Sequence, residues 1–254
     1  MTYQVLNGDS LKEHFLATKL NGTVIINREC LIVGNLAGNT LTEFWEVRAK
    51  FIEDSYNDDR EGYFAKVVSE FEKIIAAPNN SEFNLWFGYD LFCQANMWFL
   101  LSLIQNSHIT KKVFIVYPTY LKRDEIWNDF GYATTNDLIF CFETKIEFSE
   151  ADLILGKNLW TAFKNNDLPK LEELSENKSP CFPYLKEVCQ AHIERFNFKD
   201  GKGRPEIVIE AILKNVSTDF SKVFMEFSQR EGVYGFGDFQ VKQIYDNVIL
   251  NQFL

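Results

Sequence analysis

The stretch VLNGDSL, Val5–Leu11, decides the fold, because an apolar, strand-like run ends there in a small, polar and acidic turn. Ser10 and Glu13 have the spacing of a capping box, which predicts that a helix of about ten residues starts at Ser10. A second stretch of the same kind, LWFGYDL, lies at Leu85–Leu91. Ligands of α/β proteins bind at such turns, at the carboxyl ends of strands. The two turns therefore indicate where a ligand site lies.

Short apolar runs of this chain are typical of buried strands. We expect five of them, at Tyr3–Leu6, Thr23–Asn27, Phe83–Phe87, Lys112–Tyr117 and Leu138–Phe142. Helical spacing occurs between them at 40–54, which opens with a Thr40–Glu43 capping box, at 64–75 and at 91–104. Strands that alternate with helices predict an α/β fold with a mostly parallel, Rossmann-like sheet in three layers.

From about residue 149 the pattern becomes helical. Helical spacing occurs at 150–164, 168–176 and 182–197, and after a turn-rich break at 199–205 it returns at 205–214, 218–230 and 239–250. We therefore expect an α/β domain at 1–148 and an all-helical C-terminal region at 149–254. The last three helices, at about 200–254, have the lengths and turns of a helix-turn-helix unit.

The charge of the chain disfavours a nucleic-acid partner. The 254 residues carry a formal net charge of -10, and an acidic protein repels phosphate backbones. Residues 181–254 contain nine Lys and Arg against ten Asp and Glu, so the helix-turn-helix unit lacks the basic surface of a DNA reader.

The cysteines and the apolar segments indicate a cytoplasmic protein. The five cysteines form no C-x-x-C pair, which is typical of a reducing compartment, and no zinc-binding spacing occurs, so no metal site is expected. The N-terminus has no basic region followed by an apolar stretch, so we predict no signal peptide. The longest apolar segment, Leu91–Ile104, is too short for a membrane span.

Several short segments, taken in their order along the chain, carry a resemblance to a known family. They are Asn7-Gly8-Asp9-Ser10, Asn27-Arg28-Glu29, Phe44-Trp45 with Arg48, Leu85-Trp86-Phe87-Gly88 with Asp90 and Gln94, Trp160 with Ala162-Phe163, Asp200-Gly201 with Gly203-Arg204, and Phe236-Gly237-Asp238. In this order they resemble the bacterial family of domain of unknown function 1835, with its C-terminal companion, domain of unknown function 3658. The resemblance covers almost the whole chain and implies the two-part layout. The family is functionally uncharacterised, so the resemblance implies no activity.

The first turn offers Asn7, Gly8, Asp9 and Ser10 as candidate ligand-binding residues. The free N–H groups and the positive dipole of a helix start suit a phosphate or a carboxylate. Ser10 is also explained as a helix cap alone, and Gly8 as a tight turn. Asp9 would oppose an anion unless a donor intervened. Neither the dinucleotide fingerprint nor the phosphate-binding loop sequence is present.

Arg28 and Glu29 follow the second strand, and in a parallel sheet that end lies near the first turn. Arg28 could bind an anion with two hydrogen bonds and Glu29 could be an acid or base. Alternatively, the two could form a structural ion pair with each other or with neighbouring residues. Arg48 lies among aromatic residues of a helix, where it either reaches the site or stacks on a ring.

Asp90 and Gln94 are four residues apart at the start of a predicted apolar helix, so they share a face. Asp90 is either a helix cap or a site residue. Gln94 needs a polar partner, because it lies on an otherwise apolar helix.

These residues predict a crevice that binds a small anionic ligand, such as a nucleotide or a phosphorylated metabolite. The sequence does not decide whether chemistry follows; in an enzyme, Asp9 or Glu29 would be the acid or base. It names no cofactor and no oligomeric state. One alternative is a regulatory or interaction protein that acts through the helix-turn-helix unit, by binding either a protein or DNA. Another is a serine hydrolase of the GDSL type with Ser10 as nucleophile, although the later sequence blocks of that family are missing.

Overall fold

The structure is a computed structural model that describes residues 1–56, 59–106, 111–196 and 198–252. Within these residues the sheet consists of β1 (Thr2–Asn7), β2 (Thr23–Asn27), β3 (Ser81–Trp86), β4 (Lys111–Val116) and β5 (Ile146–Glu147). The strands lie in the order β2-β1-β3-β4-β5, and only the pair of β4 and β5 is antiparallel. The prediction of an α/β fold with a mostly parallel sheet is confirmed.

Helices connect these strands and follow the last of them. The α-helices are α1 (Lys12–Ala17), α2 (Leu41–Tyr56), α3 (Arg60–Tyr63), α4 (Ser69–Ile75), α5 (Leu91–Asn106), α6 (Thr135–Glu143), α7 (Glu150–Lys164), α8 (Leu168–Ser175), α9 (Leu185–Glu194), α10 (Arg204–Asn215), α11 (Phe220–Arg230) and α12 (Asp238–Gln252). The helix predicted at 64–75 begins as a π-helix, Phe64–Val68, and continues as α4. Short 3₁₀ turns occur at Arg123–Glu125, Phe130–Tyr132 and Gly232–Tyr234.

The prediction of a strand at Leu138–Phe142 is wrong, because these residues lie in α6. Thr134 and Asp137 form a reciprocal capping box, in which Thr134 Oγ1 accepts from Asp137 N at 3.2 Å and Asp137 Oδ2 accepts from Thr134 N at 2.8 Å. Leu138 and Cys141, nearly one helical turn apart, are both fully buried. A capped start and a buried stripe of helical period override the strand propensity of an apolar run.

The capping box predicted for Ser10 and Glu13 does not form. Helix α1 begins at Lys12 with Leu11 in the N-cap position, no side chain caps it, and Ser10 is exposed. Leu11 is buried, and burying a leucine side chain stabilises by about 1.5–3 kcal/mol, more than the roughly 1 kcal/mol of a serine cap. The box predicted at Thr40 does form, since Thr40 Oγ1 accepts from Glu43 N at 3.2 Å.

Both faces of the sheet are covered, because successive residues of a strand point to opposite faces. Val5 and Leu85 belong to a core cluster that contains side chains of α2, α4 and α5. Their neighbours Leu6 and Trp86 belong to a second cluster with Phe15 of α1 and side chains of α6. The carboxyl ends of the parallel strands are thus held rigidly at one edge of the sheet.

The helices after β5 share the first of these clusters. Helix α7 packs closely on α5, where a Cβ on Gly156 would lie 2.4 Å from Leu101 Cδ1. The same cluster continues through Leu159 and Ile209 to Phe227 of α11. The core is therefore continuous from the sheet to α11, and this continuity brings the last part of the chain to the strand ends.

Candidate functional site

A cavity of about 370 Å³ lies at the carboxyl ends of β1 and β3. The chain runs from β1 to β2 on one side and crosses back to β3 on the other, so this point is the switch point at which open α/β sheets bind ligands. We call the cavity the acidic compartment. It is lined by Asn7 and Ser10, by Asp90, Phe92 and Cys93, by Trp127, Asn128 and Asp129, and by Phe227, Ser228, Glu231, Gly232, Gly235 and Phe236.

Two carboxyl groups and a thiol converge beside Gly88 in the acidic compartment. A Cβ on Gly88 would lie 2.8 Å from Asp90 Oδ2, 3.1 Å from Cys93 Sγ and 3.3 Å from Asp129 Oδ1. Asp90 also caps α5, because its Oδ1 accepts from Cys93 N at 2.9 Å. Asp129 Oδ1 is buried and has no hydrogen-bond partner among the residues that the structure describes. A buried acceptor without a partner is costly, so Asp129 is suited to a ligand that donates a hydrogen bond.

Burial raises the pKa values of all three groups, Asp90, Asp129 and Cys93. It raises the pKa of Asp90, and burial together with the charge of Asp90 raises the pKa of Asp129 to about 7. A carboxyl group that titrates near neutral pH fits acid–base catalysis. Burial also raises the pKa of Cys93 well above its ordinary value, which keeps the thiol protonated and a poor nucleophile.

Asn7 is held by a polar network that ties β1 and β2 to α5. Its Oδ1 accepts from Asn27 Nδ2 and from Asn96 Nδ2, both at 3.0 Å, and its Nδ2 donates to Cys93 Sγ at 3.2 Å. The adjacent Gly8 has a φ of 96°, and its N–H donates to the carbonyl of Asn27 at 2.8 Å. The floor of the acidic compartment is therefore fixed in place.

Arg28 and Asp9 form a paired, exposed contact at the end of β2. Arg28 Nε lies 2.6 Å from Asp9 Oδ2, and Arg28 NH2 lies 2.8 Å from Asp9 Oδ1. A third donor, Arg28 NH1, bonds the carbonyl of Lys66 at 2.7 Å. The hydrogen bonds from Arg28 lower the pKa of Asp9, so Asp9 stays ionised and is poorly suited to acid–base work.

A second cavity, of about 520 Å³, lies above the end of β2 and adjoins the acidic compartment at Phe92 and Gly235. We call it the basic compartment, since Arg28 and Lys66 line it. The other described side chains of its lining are mostly apolar or aromatic, and Asp238 is the one acidic residue among them. Lys66 is exposed and has no ion pair with any described residue. The two compartments together form a crevice along the carboxyl ends of β2, β1 and β3.

Glu29 and Arg48 form a buried ion pair instead of lining the crevice. Both side chains are fully buried, and Arg48 NH2 lies 2.8 Å from Glu29 Oε2. Glu29 also accepts hydrogen bonds from Tyr63 Oη and from Cys30 N, and Arg48 donates to the carbonyls of Cys30 and Val33. The pair thus fixes the loop after β2. Arg48 also stacks on the ring of Phe51, with its Cζ 4.7 Å from the ring centroid, so of the two roles expected for Arg48 the stacking is confirmed.

Gln94 is also engaged within the protein. Its Nε2 donates to the carbonyl of Gly88 at 2.9 Å and to Tyr117 Oη at 3.2 Å.

Of the predicted site residues, the structure brings Asn7, Ser10 and Asp90 to the acidic compartment and Arg28 to the basic compartment. Gly8 and Asp9 lie beside them in the first turn, whereas Glu29, Arg48 and Gln94 line neither compartment.

Sequence reasoning missed Asp129, Cys93, Lys66 and Glu231. Asp129 follows β4 and thus obeys the same strand-end rule that selected the first turn, but a long connection separates it from the strand. Glu231 reaches the acidic compartment only because the loop after α11 folds back over it. No local signal marks such a residue.

The described residues provide neither a cluster of metal-binding side chains nor a membrane-spanning helix. No group of three or more His, Cys, Asp or Glu side chains is placed there to hold a metal ion. None of the helices in the same residues combines the length and the apolar composition that are needed to span a lipid bilayer.

No protein-family model matches this chain, and neither a curated protein nor a solved structure matches it significantly. The resemblance to the family of domain of unknown function 1835 therefore stays a prediction. The geometry of the crevice alone bears on function.

Proposed function

We propose that the protein binds a small polar molecule, with an anionic group at one end and hydrogen-bond donors at the other, in the crevice formed by the acidic and basic compartments. The observation that carries this proposal is the convergence of Asp90 and Asp129 at the switch point, where Asp129 Oδ1 is buried without a hydrogen-bond partner among the described residues. A nucleotide or a phosphorylated metabolite has the required chemistry, because it combines hydroxyl or amino groups with a phosphate.

The charges of the two compartments set the orientation of the ligand. The described lining of the acidic compartment contains the carboxyl groups of Asp90, Asp129 and Glu231 and no basic side chain, so it offers an anion no counter-charge. The carboxyl oxygens accept from hydroxyl or amino groups. Lys66 has no ion pair with a described residue, and only three of the five N–H groups of Arg28 are committed to Asp9 and to Lys66 O. The anionic group of the ligand therefore lies in the basic compartment.

The proposal fits a Rossmann-like, three-layer sheet domain at 1–148 that is followed by an all-helical region at 149–254. The strand order and the helices on both sheet faces support this classification. The five free cysteines support a reducing compartment such as the cytoplasm. If the ligand is a substrate, Asp129 is the group that we expect to transfer a proton, because its pKa is raised to about 7.

A thermal-shift screen of the full chain against nucleotides and sugar phosphates tests the proposal. A ligand at one hundred times its dissociation constant stabilises by about 2.7 kcal/mol, which is readily detected. We expect the shift to fall in Lys66→Ala and in Asp129→Asn and to persist in Lys186→Ala, whose lysine pairs with Glu176 on the surface. A ligand shift of unchanged size in both crevice variants would place binding elsewhere, and no shift with any compound would contradict the proposed ligand class.

The alternative of a regulatory protein rests on the unit of α10, α11 and α12. Its basic side chains are largely paired with acids, as in Lys242 with Asp246 and Arg230 with Glu226. This pairing leaves little positive charge for a phosphate backbone. A gel shift of the full chain on DNA at low salt is the test, and a retarded band would favour this alternative.

The hydrolase alternative needs a base beside Ser10. Ser10 is exposed, and among the described histidines His14 lies on α1 while His192 is buried against Phe163. His108 lies outside the described residues. Labelling by a fluorophosphonate probe, abolished in Ser10→Ala, would establish the hydrolase; the geometry described favours the binding crevice.

A further inference from the structure

A separate groove of about 790 Å³ runs between α12 and the end of α9. We call it the α12 groove and define it by Arg195, Phe196, Phe236, Gln243, Ile244 and Asn247. It shares only Phe236 and Gln240 with the strand-end crevice, at the wall between them. The ligand proposed for the crevice therefore does not explain the side chains that line the α12 groove.

Arg195 is the unusual group in this groove, because no carboxylate among the described residues lies within ion-pair distance of it. Its NH2 donates to the carbonyl of Ile32 at 3.0 Å, and its guanidinium lies over the rings of Phe236 and Phe196, at 5.3 and 5.7 Å from their centroids. Arg204, by contrast, pairs with two glutamates. Arg195 thus lines the groove with a positive charge that the described residues leave uncompensated.

The surroundings of Arg195 reinforce this conclusion. Burial lowers the pKa of Arg195 to about 10, so the side chain remains charged at neutral pH although it is poorly solvated. The neighbouring His192 provides no counter-charge, since burial lowers its pKa to about 3 and the ring is neutral. A desolvated cation over aromatic rings is a favourable partner for an incoming anion.

Helix α12 supplies the rest of the lining. Gln243 and Asn247 are exposed and one helical turn apart, so their amides face the groove together and can donate to an oxygen. Ile244 and Leu250 provide apolar surface beside them. Glu206 is the only acidic side chain among the described residues of the lining, so these residues present one positive and one negative charge to the groove. This balance favours a singly charged anion over a phosphate dianion.

We propose that the α12 groove binds an organic monocarboxylate, with the carboxylate group on Arg195 and the apolar body along Phe196, Ile244 and Leu250. A planar guanidinium binds a carboxylate through two parallel hydrogen bonds, which explains an arginine rather than a lysine at this position. The site is independent of the strand-end crevice, and its function is a second binding activity of the same chain.

Isothermal titration of the full chain with octanoate tests this site. We expect octanoate to bind the unmodified protein and to lose roughly tenfold or more in affinity in Arg195→Gln, because a charge-assisted pair is removed. Arg195 also bonds the Ile32 carbonyl, so Arg195→Gln can lose stability. Asn247→Asp avoids that difficulty, since it adds a negative charge at an exposed position of the groove and should weaken octanoate several-fold.

Matched controls separate the outcomes. Arg230→Gln removes an exposed arginine that pairs with Glu226 outside the groove, and it should leave octanoate binding unchanged. Octan-1-ol has the same chain without the charge and should bind weakly, and inorganic phosphate should not compete. The proposal would be overturned if Arg195→Gln and Asn247→Asp both bound octanoate as tightly as the unmodified protein does. It would also be overturned if inorganic phosphate competed with octanoate, or if the unmodified protein bound no octanoate up to about 10 mM. The octanoate measurements do not depend on Lys66 or Asp129, the residues that test the crevice. A failure of the α12 groove proposal can therefore be distinguished from a failure of the proposed function.

Discussion

Gly235 lies directly against Asp90, so that a Cβ on Gly235 would stand 1.9 Å from Asp90 Oδ1 and 2.5 Å from its Cγ. Gly235 also has a φ of 61°, in the left-handed region that favours glycine. This contact brings the loop after α11 onto the cap of α5, and Gly235 lines both compartments of the crevice. The crevice is therefore completed by the last part of the chain.

Gly235→Ala should be strongly destabilising, because the new methyl group meets the Asp90 carboxyl and the backbone is left-handed. We expect a loss of about 2–5 kcal/mol in the free energy of unfolding, measured by urea denaturation. Gly201→Ala is the matched control: its φ is 79°, but nothing lies within 4 Å of its Cβ position. The control should cost about 1–2 kcal/mol. Equal losses in the two variants would show that the contact with Asp90 contributes nothing.

The sheet could be predicted from the sequence because its buried strands have a local signature, as in Thr23–Asn27. The fifth strand could not, because the apolar run at Leu138–Phe142 fits both a strand and a buried helix face, and the deciding cap lies outside it, at Thr134. Part of the site could be predicted for the same reason: Asn7 and Asp90 end strand-turn-helix segments. Asp129 and Glu231 could not, because tertiary packing alone brings them there.

The buried pair of Glu29 and Arg48 should be structural, since its oxygens and N–H groups are engaged within the protein. We expect Arg48→Met to lower the free energy of unfolding by about 3–5 kcal/mol, because it leaves the carboxylate of Glu29 buried without its counter-charge. Lys50→Met is the control, as it breaks an exposed pair with Asp54 and should leave the free energy of unfolding almost unchanged. A loss in Arg48→Met no larger than that of the control would refute a structural role.

Ser10 and Thr134 should respond differently to alanine, although both precede a helix. Ser10 is exposed and caps nothing, so Ser10→Ala should change the free energy of unfolding by less than about 0.5 kcal/mol. Thr134 completes a capping box with Asp137, so Thr134→Ala should cost about 1 kcal/mol. Chemical denaturation of both variants measures this difference. A larger loss for Ser10→Ala would mean that Ser10 does cap α1.

Asp129 should make the protein less stable as the pH rises. Its pKa is 3.8 in the unfolded reference and is raised to about 7 in the folded protein, because of burial and the charge of Asp90. Between these values the unfolded chain has lost a proton that the folded protein still holds. Each unit of pH then lowers the free energy of unfolding by up to about 1.4 kcal/mol, and the loss levels off above pH 7.

Asp129→Asn removes this proton and should remove its contribution to the slope. The variant should therefore gain stability relative to the unmodified protein as the pH rises from about 4.5 to about 7.5, as measured by urea denaturation at several pH values. Asp54→Asn serves as the control, because Asp54 is exposed in its pair with Lys50. If Asp129→Asn and Asp54→Asn change the slope equally, Asp129 does not hold its proton in the folded state. It would then be an ionised acceptor in the crevice, suited to a cationic ligand and not to proton transfer near neutral pH.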